Sequence, residues 1–299
     1  MVRRTGMSVR CSQTTWLEIL IQGKKEHLHL QEPKYLDKMT FRLPTRYEEF
    51  TLLVKVRTWH PEKIYLIVSD ESHKNTVFTN RWKTVNGECS FFVRMPVSGK
   101  VAVINIFSEK NGKDAENDSL FEVVEIKKLP LEKRLDVVDF SNPTLKSFIN
   151  FCTRFCFNAG HISSGTYKSS DGKFTIEYVP TIISSKSGKE LETPARISKE
   201  SGRIQVSQKK FVPDTVPMRM AILLHEYSHF YVNKDINDES EADLNGLLIY
   251  LGLGYPRFEG HEAFLKTFIN TPTEMNKVRY DKIKAFIDDF EKHNYIVYE

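Results

Sequence analysis

The chain is predicted to be α+β in two unlike halves: an N-terminal antiparallel β-sandwich, then a mainly helical domain with a small sheet. Three observations predict this. Residues 11–128 hold short β-type segments separated by turn residues, with no long helical pattern. After a linker at 129–143 the apolar residues recur at helical spacing. At 299 residues, 40% hydrophobic and 27% charged, the chain is long enough to bury two cores.

In the first half, strands are expected at 16–22, 50–59, 63–69, 90–94, 100–107 and 120–126. The segments at 50–57 and 121–126 mix alternation with apolar runs, as sandwich strands do. Asn86-Gly87, Ser98-Gly99 and Asn111-Gly112 supply turns. About eight strands in so short a stretch suggest an immunoglobulin-like or jelly-roll sandwich. Such a module binds, attaches or spaces. Its histidines, His27, His29, His60 and His73, have no further ligand residues around them and read as surface or packing residues.

The second half, 144–299, opens with Asn142-Pro143-Thr144 leading into Leu145, Phe148, Ile149, Cys152, Phe155 and Cys156, an amphipathic helix with Gly160 beyond its end. Cys152 and Cys156 read as small core residues, and with Cys11 and Cys89 isolated no disulfide framework emerges. Strands follow at 173–183 and 203–207. Asp214 or Thr215 suits a helix cap before Pro217. Downstream, a helix runs from Glu239 past Leu251 to Gly252, Gly254 and Pro256, and another spans 262–269. Thr271-Pro272-Thr273-Glu274 caps a last helix whose stripe of Ile283, Phe286, Ile287 and Phe290 marks it as a packing element.

Chemistry concentrates in His225-Glu226-Tyr227-Ser228-His229. Residues four apart lie on one helix face, so both imidazoles can converge on one ion, with Glu226 beside them as a proton acceptor. In a chain with 9 histidines such a motif arises by chance in roughly 2% of cases. Met220, Leu223, Leu224, Tyr227 and Phe230 make the helix apolar on several sides, which argues against a solvent-edge helix. Downstream, Asp238-Glu239-Ser240-Glu241-Ala242-Asp243 opens a helix with acidic residues, a placement the macrodipole also favours. Glu239 and Asp243 share a face, and Glu241 points about 160° away.

Together, HExxH and ExEAD resemble the active-site helices of zincin metallopeptidases of the gluzincin branch, in particular phage- or bacterium-encoded ones. The resemblance covers residues 217–256. It implies one Zn2+ per chain held by His225, His229 and Glu239, with Asp243 orienting a ligand histidine and Glu226 as general base in peptide-bond hydrolysis. It also implies a small sheet above the helix with a strand that pairs with substrate; by order that is Arg203, Ile204, Gln205, Val206 and Ser207, a segment that reads equally as an ordinary edge strand. An oxyanion donor is expected downstream, with His261, Tyr255 and Arg257 as candidates. The implied protein is a zinc endopeptidase acting on a protein or peptide, docked through its β-sandwich to a protein partner. The alternative is a structural or assembly protein, such as a phage virion component, that keeps the domain with little activity.

Composition narrows the setting. The net charge is +4, about +5 of it in residues 1–130 and −1 in the remainder. So mild an excess, with three arginines in residues 3–10, is a solvated tail rather than a nucleic-acid site. No apolar run reaches the roughly 20 residues of a membrane span, and the start lacks a signal-peptide core. A cytoplasmic protein is expected, or a virion-associated one if phage-encoded, with no membrane partner.

Overall fold

A computed structural model describes residues 3–4, 38–108, 120–131, 138–232, 238–270 and 272–294. The expected strand at 16–22, the turn at Asn111-Gly112, and His27 and His29 lie outside the described residues. The chain divides near Pro130 into two compact units.

The first unit is antiparallel β: β1 (Arg3–Arg4), β2 (Lys38–Pro44), β3 (Phe50–Asp70), β4 (Val77–Met95), β5 (Val101–Ser108) and β6 (Phe121–Pro130). These join one hydrogen-bonded sheet in the order β1-β2-β5-β3-β4, with β6 also on β3. Alternation along β3 puts Leu52, Val54, Val56, Ile64, Leu66 and Val68 on one face, all 0% exposed. Burying such a side chain stabilises by about 1.5–3 kcal/mol, which pins the register.

The segments expected as separate strands at 50–59 and 63–69 are one strand. Its ladder to β4 shifts register between Thr58 and Glu62, so a bulge absorbs Trp59, His60 and Pro61 without ending the pairing. The half before the bulge also pairs with β6, the half after it with β5. Asn86-Gly87, expected as a turn, lies inside β4 opposite this bulge; Gly87 has φ 81°, which bends the strand rather than closing a hairpin. The bend brings Arg81 back to donate to the Phe92 carbonyl of the same strand, as at a corner where a sheet folds over itself. Leu129 and Pro130, expected in the linker, end β6.

The second unit contains α1 (Pro143–Asn158), β7 (Gly165–Lys168), β8 (Thr175–Val179), β9 (Ala195–Ile197), β10 (Ile204–Ser207), α2 (Gln208–Phe211), α3 (Val216–Tyr227), α4 (Glu239–Gly252), α5 (Arg257–Asn270) and α6 (Glu274–Asn294). Asn142 caps α1 by accepting from the Thr144 and Leu145 amides, leaving Phe148, Cys152, Phe155 and Cys156 buried. The small sheet runs β7-β8-β10-β9, parallel only between β8 and β10. Helix α5 begins at Arg257, five residues before the expected start.

Helix α3 is the centre of this unit, since every residue of it except His225 is buried. Thr215 caps it by accepting from the Met218 amide, and Pro217 sits in the first turn. Tyr227 packs on Phe148 of α1 at 4.3 Å between ring centroids. On the helix's own first turn, Arg219 is 0% exposed and donates to the carbonyls of Phe211, Cys156 and Val212, tying α1, α2 and α3 together. Arg219→Ala strands those carbonyls in the core. Its expected cost is about 3–5 kcal/mol, measured by denaturant unfolding of the full chain; a loss below about 1 kcal/mol would show that the core absorbs them. No helix among the described residues is long and apolar enough to cross a membrane.

Candidate metal centre

After Tyr227 the helix widens into a π turn, Ser228–Val232, with Ser228 Oγ donating to the Leu224 carbonyl. His225 stands in the last turn of α3 and His229 in the π turn. Their Nε2 atoms are 3.2 Å apart and their rings nearly perpendicular, at 87°. Helix α4 enters against this pair, capped by Asp238, whose carboxylate accepts from the Ser240 amide. Its first residue, Glu239, places Oε2 3.5 Å from His225 Nε2 and Oε1 3.4 Å from His229 Nε2.

These three residues are the group of metal-ligating side chains that the fold brings together among the described residues. The triangle fits an ion. Donors held 2.0–2.1 Å from a tetrahedral centre stand about 3.3–3.4 Å from one another; here the two Nε2 atoms are 3.2 Å apart, and the two oxygens of the Glu239 carboxylate lie 3.5 Å from one and 3.4 Å from the other.

The surrounding charges point the same way. Asp243, one turn beyond Glu239 and 0% exposed, lies 2.9 Å from His225 Nδ1 through Oδ1. That contact is short but bent, and the ring nitrogen does not aim squarely at the carboxylate. Arg279 of α6 clamps Asp243 from the other side, Nε to Oδ2 at 2.7 Å and Nη2 to Oδ1 at 2.9 Å. The same Nη2 is 3.4 Å from Glu239 Oε2, and the guanidinium sits over the Phe268 ring. Two carboxylates, Glu239 and Asp243, thus share one guanidinium, and Glu226 adds a third carboxyl beside the two histidines.

The protonation equilibria follow from this geometry. Burial disfavours a charged His225, yet the Asp243 and Glu239 carboxylates outweigh it and raise its pKa to about 10. The two imidazoles hold the Glu239 carboxyl far below the usual range. Asp243 is pushed up by burial but ends lowered through His225 and Arg279. Glu226, 7% exposed, is raised by burial against the pull of both histidines. Its carboxylate accepts a hydrogen bond from the Ile197 backbone amide.

That amide locates the edge of the small sheet. The expected edge strand, Arg203 to Ser207, is interior: β10 pairs with β8 on one side and β9 on the other, so its backbone groups are used within the sheet. Ile204, Val206 and Ser207 are buried, while Arg203 and Gln205 bond Glu177 on β8. The edge is β9. The bonds from Ser198 N to Arg203 O and from Ser207 N to Pro194 O set the alternation, which turns the amides of Ala195 and Ile197 away from β10. Ile197 meets Glu226 there.

The expected oxyanion candidates lie in α5 or just before it. Tyr255 is buried and stacked on Tyr250 at 5.0 Å, and His261 lies edge-on to Tyr280 of α6. Arg257 opens α5. Glu241 is exposed, two residues from each of Glu239 and Asp243 on the helix. Sequence reasoning missed Arg279, because α6 read as a packing helix from its apolar stripe, and missed Ile197, which acts through its backbone.

The fold and site define an α+β chain with a candidate mononuclear metal centre between α3 and α4. Comparison with protein-family models, curated proteins and solved structures finds no match.

Proposed function

We propose that the chain is a zinc-dependent endopeptidase of the gluzincin type, and that its folded-over N-terminal sheet is a β-sandwich that docks it to a protein partner. The observation that carries the reading is the triangle of His225 Nε2, His229 Nε2 and the Glu239 carboxylate, with edges of 3.2–3.5 Å. Nitrogen and carboxylate donors in that number and geometry suit zinc and leave a fourth position for a reactant. Bound there, zinc would supply a Lewis acid that polarises a carbonyl and lowers the pKa of water to about 7.

The remaining steps belong to the chain's own residues. Glu226, buried and raised in pKa, takes the proton from the attacking water and hands it to the leaving amine. The Ile197 amide holds that carboxylate in place, and Asp243 with Arg279 holds His225 and Glu239. The outward amide of Ala195 on β9 pairs with an extended substrate backbone laid along the edge.

Metal analysis of the purified chain tests the reading. About one zinc per chain is expected, with cleavage of an unfolded protein substrate lost on chelation and restored by zinc. A folded chain that takes up no zinc on supplementation sinks the proposal; one that holds zinc but never cleaves would favour a structural or assembly role.

A further inference from the structure

Helix α4 faces α3 with Glu239, Asp243 and Gly246, spaced four and three residues apart on one face. The first two act through side chains on the histidines, and the third through the absence of one. A Cβ at Gly246 would stand 2.8 Å from His225 N, 2.9 Å from His225 Cα and 3.0 Å from the Leu224 carbonyl carbon. These are backbone atoms of a buried helix, so no rotamer change relieves the overlap. At Gly260, by contrast, the atoms nearest an added Cβ belong to the Tyr250 ring, a side chain.

We infer that Gly246 is a positioning residue for the metal centre: its bare backbone sets the depth at which α4 docks on His225, and hence the reach of Glu239 and Asp243. This rests on the metal-centre reading above. Ordinary contact begins at 3.4 Å, so a methyl group at 246 drives the helices apart by about 0.6 Å. Metal–ligand distances tolerate only about 0.2 Å. Aspartate is also too short to follow, since its Oδ1 already lies 2.9 Å from His225 Nδ1. Helix propensity alone favours alanine over glycine at this interior site, so a harmful alanine reports the helix contact rather than helix formation.

The test uses the full chain and the metals alone. Cobalt(II) is titrated into metal-free wild type, Gly246→Ala and the neighbouring Asn245→Ala, with the ligand-field spectrum recorded, zinc competed in, and metal-free unfolding followed in parallel. Gly246→Ala is expected to bind about 10- to 100-fold more weakly, as when a group supporting a ligand imidazole is lost. Its cobalt spectrum is expected to change while the metal-free chain stays folded; Asn245→Ala matches wild type. Wild-type affinity and spectrum in Gly246→Ala overturn the inference. Should Gly246→Ala fail to fold, Asp243→Glu takes its place, because a helix docked this closely has no room for another methylene. Unchanged affinity there overturns the inference as well. If wild type binds neither metal, the metal-centre reading fails, and that outcome is distinct from a variant that behaves like wild type.

Discussion

Glu226→Gln is expected to lower peptide cleavage by about 10²- to 10⁴-fold while zinc stays at one per chain. Glutamine keeps the shape and still accepts from the Ile197 amide, but it cannot take a proton from water. The side chain is 7% exposed, beside both histidines and not among the three that form the metal triangle, so the substitution separates proton transfer from metal binding. Two measurements on one preparation decide it, cleavage rate and metal content. Zinc lost together with activity would make Glu226 a structural support of the site, and activity retained would remove it as the base.

Zinc affinity is expected to rank wild type and Glu241→Ala highest, Asp243→Ala intermediate and Glu239→Ala lowest. The Glu239 carboxylate has one oxygen 3.5 Å from His225 Nε2 and the other 3.4 Å from His229 Nε2, and on the proposed reading its removal deletes a direct ligand and a negative charge. Asp243 acts through His225 and Arg279, and loss of such a carboxylate typically costs about 10- to 100-fold. Glu239→Ala should therefore exceed about 100-fold. Glu241 is exposed and its removal changes nothing at the ion. Competition against a chromophoric chelator measures the series. A variant order with Glu241→Ala at the bottom would mean that α4 is rotated from the register described.

Several features were legible because they depend on neighbours a few residues away. The spacing of His225 and His229 is one helical turn, and that of Glu239 and Asp243 is another. The caps at Asn142 and Thr215 and the alternation in β3 are likewise local, set by side chains that satisfy nearby amides or share one face of an element. From these, an antiparallel first half, a helical second half with a small sheet, and the histidine pair with its acidic helix could be read directly. Even locally, one cue misled: Asn-Gly usually closes a hairpin, yet at 86–87 its positive φ serves a bend, because the bulge opposite in β3 keeps the ladder going.

The rest was decided by which elements meet. Whether a strand is an edge depends on what lies on both sides of it, so the residues of β10 and β9 do not say which has free amides; only the order β7-β8-β10-β9 does. Arg279 lies 36 residues from Asp243, and nothing in its own helix marks it, since its partner is supplied by the packing of α6 on α4. Gly246 looks like an ordinary helix interior until the His225 backbone is placed 2.8 Å from where its Cβ would be. Local periodicity is written in adjacent residues because backbone geometry repeats every two or 3.6 residues, whereas pairings between distant segments depend on the summed burial of the whole core, a quantity that no single stretch of sequence contains.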